Sequence, residues 1–246
     1  LVGVFLFSSF MVFSFAQDPV KPKYGPAANP HAVPLALSNQ YLRTGGHLAP
    51  DYWALAGYYV PQYNAYSCSA ASVAMILNAA RAAMPKNSDT QLILQQSLVS
   101  SIDVDGWSAR LSDEGLDGRH GVGLDVLGRI TQAAFHANGF SAATVEVVHI
   151  NDTSRTTKQS VRRMLIENER SSNDFVLANF NQQAFTDDAD AGHIAPVAAF
   201  DAARNKVLVF DPDREWYEPY WVSLDTFIAG MATRDASGNA NRGYVR

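Results

Sequence analysis

Apolar residues recur along this chain in two rhythms. Val73, Ile76, Leu77 and Ala80 fall at helical spacing inside an Ala-rich run from 69 to 83, and Pro85 closes the run. Leu92, Leu94, Leu98 and Val99 give a second, weaker helical pattern over 89–100. Leu124, Leu127, Ile130 and Ala134 mark a third helix, for which Asn138-Gly139 is a sound C-terminal stop. Val161, Met164 and Leu165 mark a fourth.

The rhythm then changes. "FVLANF" (175–180), "HIAPVAAF" (193–200) and "KVLVF" (206–210) are short apolar runs bounded by polar turns, which predicts strands. The last two are spaced as antiparallel neighbours joined by the turn "DAARN". In that hairpin, facing residues have numbers that sum to about 404. Helices first and strands later predict an α+β fold. The N-terminal half is helical, the C-terminal half is an antiparallel sheet, and a cleft lies where they meet.

With 246 residues, 47% hydrophobic and 17% charged, the chain can pack one domain or two small halves. A net charge of −5 and no Lys/Arg run leave no footprint for nucleic acid. The first residues, "LVGVFLFSSFMVFSFAQ", are apolar, and Ser14 and Ala16 are small residues of the kind a signal peptidase prefers. The stretch is shorter than the ~20 residues a membrane-spanning helix needs. Residues 1–16 are therefore expected to be a signal peptide, clipped at its start because no Met or basic flank precedes it. Export, with no stable membrane span after processing, follows from that; an uncleaved anchor is the alternative. Residues 17–45, rich in Pro and polar residues, read as a leader crossing the surface, and 46–246 as the domain.

Export favours disulfides, yet Cys68 is the single cysteine. It is either a buried small hydrophobe or a reactive thiol. Its place at the start of the Ala-rich helical run favours the second, because unsatisfied N–H groups and the positive helix end stabilise a thiolate. Attack on a carbonyl creates an oxyanion that needs fixed donors. The N–H of Cys68 is one, and the side-chain amide of Gln62, on the extended approach "YYVPQ", is a second. Taken alone, Gln62 reads as a surface residue.

A thiolate also needs a base, usually a histidine held by a third group. The chain has six histidines. His31 and His47 lie in or at the end of the leader, His120 in a Gly-rich turn, His136 near the end of the third helix and His149 at a strand end. His193 differs: it opens a strand after the polar loop "TDDADAG", so its ring can project into the cleft. Asp211, in "VFDPD", ends the next strand, and the expected hairpin register puts it beside His193 to orient the ring. Asp187, Asp188 and Asp190 lack EF-hand spacing and read as a solvated loop. "HGVGLDVLG" lacks the context of a dinucleotide loop, and "NDT" at 151–153 is a sequon only in a glycosylating host.

"QYNAYSCSAASVAMILNA", "GVGLDVLGRI", "VRRMLIENERSSNDFVLANFNQQAF", "AGHIAPVAAFDAARNKVLVFDPDREWYEPYWVSLDTFIAGM" and "NRGYV" resemble the catalytic domain of phytochelatin synthase, from about residue 50 onward. That enzyme is the glutathione γ-glutamylcysteinyltransferase of the papain-like cysteine peptidase clan. The resemblance implies a papain-like fold, a triad at Cys68, His193 and Asp211, and an oxyanion-hole glutamine at Gln62. It implies glutathione as donor and acceptor, a γ-Glu-Cys thioester, and transfer to a second glutathione or to water. No cofactor is required for cleavage, and heavy-metal ions (Cd, Zn, Cu) enter as glutathione thiolates. A homodimer is the assembly considered.

Arg242, in "NRGYV", matches a basic family position and could clamp a glutathione carboxylate; the alternative is a surface arginine. Ser69 stands where the family usually has Gly, and Ala195 where Ser is common, and both are expected to alter the pocket wall. The sequence ends near Arg246 without the Cys-rich region of plant enzymes, which points to the short bacterial type and leaves metal sensing open. Two rivals stay: a papain-clan leader peptidase cutting after Gly-Gly, and a noncatalytic binder of glutathione or its metal thiolates.

Overall fold

The computed structural model describes residues 21–44, 46, 48–187 and 189–246. The apolar stretch 1–16, His47 and Asp188 lie outside the described residues. In chain order the elements are β1 (Ala32–Pro34), a 3-10 turn (Leu35–Leu37), α1 (Gln40–Arg43), α2 (Pro50–Ala56), α3 (Cys68–Arg81), α4 (Gln95–Ser101), α5 (Trp107–Arg110) and α6 (Leu124–Ala137). Then come β2 (Val147–His149), α7 (Arg155–Asn168), β3 (Leu177–Asn181), α8 (Gln182–Thr186), β4 (Gly192–Asp201) and β5 (Lys206–Val209). The last are β6 (Tyr220–Ser223), α9 (Leu224–Met231), β7 (Arg234–Asp235), β8 (Ala240–Asn241) and β9 (Gly243–Val245). A seven-stranded antiparallel sheet runs β1-β6-β5-β4-β3-β9-β2, and β7 pairs with β8 in a separate ribbon.

β4 is the central strand and is buried from His193 to Asp201. So continuous an apolar run cannot show one face to water, and the sheet is covered on both sides. Residues of α2 to α6 pack on one face, against Ile194, Ala198, Leu208 and Trp221. Residues of α7, α8 and α9 pack on the other, against Val197, Val207, Val209 and Val222. The C-terminal half is thus a sheet with its own helical cover, to which the helix expected around Val161–Leu165 contributes as α7.

Three local differences have physical causes. The β4–β5 hairpin pairs Val197 with Val209 and Phe200 with Val207, two to three positions away from the expected register. Its bulge between Val197 and Ala199 lets Ala198 and Ala199 pack into the same cluster, breaking the alternation that register arguments assume. α4 begins only at Gln95, leaving Leu92 and Leu94 exposed. The Asn78 side chain, reaching from α3, bonds both the N–H and the C=O of Ile93 at 2.9 Å and holds that residue out of the helix. The Pro-rich leader contributes β1, which pairs with β6 at the sheet edge.

Glu169, inside the "ENERSSNDF" segment, ties distant parts together. Its carboxylate accepts from Tyr41 Oη (2.7 Å), the Ala49 N–H (3.1 Å) and the Phe200 N–H (2.7 Å). Near it Asp51, in the first turn of α2, is 3% exposed. Burial is the largest influence on its carboxyl and raises it to about 8, against a hydrogen bond from Asn168 and with help from Asp174 and Glu169. The folded chain therefore keeps a proton on Asp51 that the unfolded chain loses near the ordinary value of 3.8, so stability declines as pH rises between the two. Asp51→Asn removes that slope. In urea denaturation the variant's advantage over the parent should widen from pH 5 to pH 8, by no more than about 1.4 kcal/mol per pH unit. A constant difference across that range would show that Asp51 does not titrate this way.

Candidate active site

α3 begins at Cys68 and is buried on all sides from there to Ala79. Such a helix has no polar face, so its surroundings set its place. Ser72 Oγ donates to the Ile194 carbonyl at 3.1 Å, which fixes α3 against the β4 residue next to His193. Ser67, the N-cap residue, does not close the helix with its side chain. Its Oγ instead accepts from the N–H groups of Tyr63 and Asn64, at 3.0 Å each. The first N–H groups of α3 are left to act on the sulfur at Cys68.

The imidazole of His193 comes from the second residue of β4. Its Nε2 lies 2.7 Å from Asp211 Oδ1, and Cys68 is near enough to help raise the imidazole above its ordinary value. The Phe180 ring meets it edge to face at 5.5 Å. Asp211 is fully buried. Its Oδ1 also accepts the Asp213 N–H at 2.9 Å, and its Oδ2 accepts the Tyr220 hydroxyl at 2.7 Å.

Burial is the largest single influence on both groups and opposes both charges. On His193 it pulls the imidazole down, but the charge and hydrogen bond of Asp211, joined by Cys68, raise it well above 6.5. On Asp211 it pushes the carboxyl up, but His193, Tyr220 and the Asp213 N–H hold it below the usual value. The arrangement favours a charged imidazolium–carboxylate pair in a site closed to water.

Gln62 joins this cluster through its backbone, whose N–H donates to Pro212 O at 2.8 Å, one residue past Asp211. Its Oε1 is buried and has no hydrogen-bond partner among the described residues. Arg242 is 6% exposed, which rules out the surface-arginine alternative. Its Nη1 donates to Thr233 Oγ1 at 2.9 Å and to the Arg234 carbonyl, its Nη2 lies 3.9 Å from Asp235 Oδ1, and its Nε is unpartnered among the described residues. Burial lowers it from its ordinary value, with Asp235 and Asp190 working the other way. The guanidinium lies against Gly192, next to His193: a Cβ there would come within 3.0 Å of Nη2. The predicted residues thus form two adjoining groups, Cys68–His193–Asp211–Gln62 and Arg242.

Three further residues belong to the site and were not legible beforehand. Tyr220 holds the second oxygen of Asp211, and its segment "YEPYWV" carried only the family resemblance. Asp235, 4% exposed, accepts from Asn179 Nδ2 at 3.2 Å and from the Ser237 N–H at 2.9 Å, and so stands beside Arg242. Asn179 sits inside the predicted strand "FVLANF", and no motif marked it or Asp235.

The two departures from the family pattern do not act on a pocket wall as expected. Ser69 Oγ accepts the indole N–H of the buried Trp107 at 3.0 Å, and Ala195 is fully buried in the cluster under α7–α9. His120 stacks on Tyr66 at 3.9 Å, His136 is exposed on α6, and His149 bonds Asp125 at 3.0 Å. "GVG" has a packing role: a Cβ on Gly123 would lie 2.6 Å from Gly238, in the loop after Asp235. Asp187 pairs with Lys21 and Asp190 accepts from Asn181 Nδ2. Among the described residues no group of three or more His, Cys, Asp or Glu could hold a metal ion.

A helix that offers its first residue, a thiol, to a His–Asp pair on a facing antiparallel sheet is the papain-like architecture. The chain belongs to the phytochelatin synthase family, whose sequence pattern matches residues 38–244. It is 28% identical to a glutathione gamma-glutamylcysteinyltransferase of Arabidopsis thaliana over 105 residues, which cover 43% of this chain and 21% of that protein. It is 39% identical to one from Schizosaccharomyces pombe over 54 residues, covering 22% of this chain and 13% of that protein. One from Lotus japonicus is 37% identical over 54 residues, with 22% and 11% covered. The chain therefore matches only a minor part of the length of these relatives.

If His193 sustains the thiolate, iodoacetamide at pH 6 should label Cys68 about tenfold or more slowly in His193→Ala than in the parent, read by mass shift. Equal labelling rates would separate the two residues chemically. Tyr220→Phe strips a donor from a fully buried carboxylate, and should cost about 1–3 kcal/mol of unfolding free energy in denaturant titration.

Proposed function

We propose that this protein cleaves the Cys–Gly bond of glutathione through a cysteine acyl-enzyme, acting as a γ-glutamylcysteinyltransferase and hydrolase. The observation that supports this most is Cys68 beside the imidazole of His193, whose Nε2 is held by the buried Asp211, in a member of this family.

The Cys68 thiolate attacks the carbonyl carbon of the Cys–Gly peptide. The oxyanion is received by two donors, the Cys68 N–H and the side-chain NH2 of Gln62. The imidazolium gives its proton to the glycine nitrogen, the C–N bond breaks, and γ-Glu-Cys remains as a thioester on Cys68. Neutral His193 then takes a proton from the amine of a second glutathione or from water. Attack by that nucleophile frees the sulfur and yields a phytochelatin or γ-glutamylcysteine. Asp211 keeps the ring in one tautomer throughout. Heavy-metal ions belong to this scheme as substrate, carried as glutathione thiolates.

The γ-glutamyl end of glutathione is a zwitterion. Arg242 and Asp235, buried side by side next to the Gly192–His193 segment, offer a cation for its carboxylate and an anion for its ammonium.

Mass spectrometry of the products from glutathione, with and without Cd²⁺, should show glycine together with γ-glutamylcysteine or phytochelatin. Cys68→Ser should cut glycine release by about 10³-fold or more, and Arg242→Lys should raise KM about tenfold. Because His193 is raised well above 6.5 and must be protonated to expel glycine, activity should persist above that pH and fall only as pH passes its raised value. Asp211→Asn should move that fall to lower pH. Cleavage of a Gly-Gly peptide with glutathione untouched would favour the leader peptidase. Tight glutathione binding without turnover would favour the noncatalytic binder.

A further inference from the structure

We propose that a cleft at the far end of α3 is a second binding site, selective for a small hydrophobic amine. The cleft has a volume of about 950 Å³ and includes Ile76, Ala80, Phe135, Phe140 and Phe175 in its lining. Ala80 lies about 18 Å along the helix from Cys68 at 1.5 Å per residue, and no residue of the catalytic cluster lines the cleft. Its size and apolar walls with a few converging polar groups are those of a small-molecule site.

The polar groups decide the ligand's charge. The ionisable lining residues are Glu146, Asp174 and Arg246, two carboxylates against one guanidinium. Arg246 is already engaged: its Nε lies 2.7 Å from Asp174 Oδ2, and its Nη1 3.7 Å from Glu167. Glu146 and Arg246 also exchange backbone hydrogen bonds of 2.8 and 2.9 Å, which fixes this wall. The other oxygen of Asp174, Oδ1, is buried and has no partner among the described residues. The lining thus carries one carboxylate more than its guanidinium balances, and an ammonium supplies the missing positive charge. The three phenyl rings suit the apolar body of such a molecule and tolerate a nearby cation. A carboxylate ligand would meet a guanidinium already paired and two like charges.

Calorimetry on the full chain, with 2-phenylethylammonium, 3-phenylpropionate and propylbenzene as probes, tests this. The amine should bind once per chain and at least tenfold tighter than the carboxylate, with the neutral compound between them. Cys68→Ser should leave amine binding unchanged. Asp174→Asn should weaken the amine tenfold or more and not weaken the carboxylate, and Ala80→Trp should abolish binding of all three. If Ala80→Trp does not fold, the Asp174→Asn comparison decides alone. The proposal is overturned by no binding at millimolar amine, by equal affinity for amine and carboxylate, or by undiminished amine binding to Asp174→Asn. It is also overturned if alkylating Cys68 blocks the amine, or if the cleft proves to be filled by a second copy in a dimer that Ala80→Trp dissociates.

Discussion

Cys68 and His193 come from opposite halves of the chain, and nothing in the sequence near either one brings the other within reach. The seating of α3 on β4 does. Ser72 pins the height of the helix to Ile194. Trp107, bonded to Ser69, braces the first turn. The strand is held in turn by Glu169, whose bond to Phe200 anchors β4 to α1 and to the start of α2. An error of an ångström in this seating would be felt at the sulfur, because reacting groups must meet at hydrogen-bond range.

The electrostatics of the site run against stability. Burying an imidazolium and a carboxylate together seldom stabilises a fold more than apolar residues of the same volume would. Here desolvation is the largest influence on both His193 and Asp211, and each charge survives only through its partners. Tyr220 is the least obvious of these. Its hydroxyl, itself pushed well above its ordinary value by burial and by Asp211, stays protonated and remains a donor. The same reasoning applies to Arg242 and Asp235, a half-paired cation and anion kept dry beside the catalytic strand. Two buried charge pairs that adjoin at the Gly192–His193 segment are a cost to folding.

What the chain shows in advance depends on how local the signal is. α3, α6 and α7, and the strands around His193 and Val207, follow from apolar spacing within a dozen residues, and the structure has them all. Cys68, His193 and Asp211 are legible because residue type, element end and hairpin topology converge on them. The register is not, because the β4 bulge leaves no mark in the alternation of an all-apolar strand. Leu92 and Leu94 mislead because helical spacing cannot reveal that Asn78 has claimed the backbone of Ile93. The burial of Arg242, and the company of Asp235 and Asn179, arise where β3, β7 and β8 converge; a linear pattern carries none of that.

The two ends of α3 also differ in how firmly they are held. At Cys68 the helix is locked by β4, by Trp107 and by the imidazole. At Ala80 it faces the cleft, and side chains give way to open space. Local stability follows buried contact, so the catalytic end is the last part of the helix to open and the cleft end the first. A molecule that fills the cleft would therefore act mainly on the looser end. It would stabilise the folded chain by mass action, while the position of the sulfur, fixed by β4, need not change. Rigidity at the thiol and room at the opposite end are compatible because a single buried helix separates them.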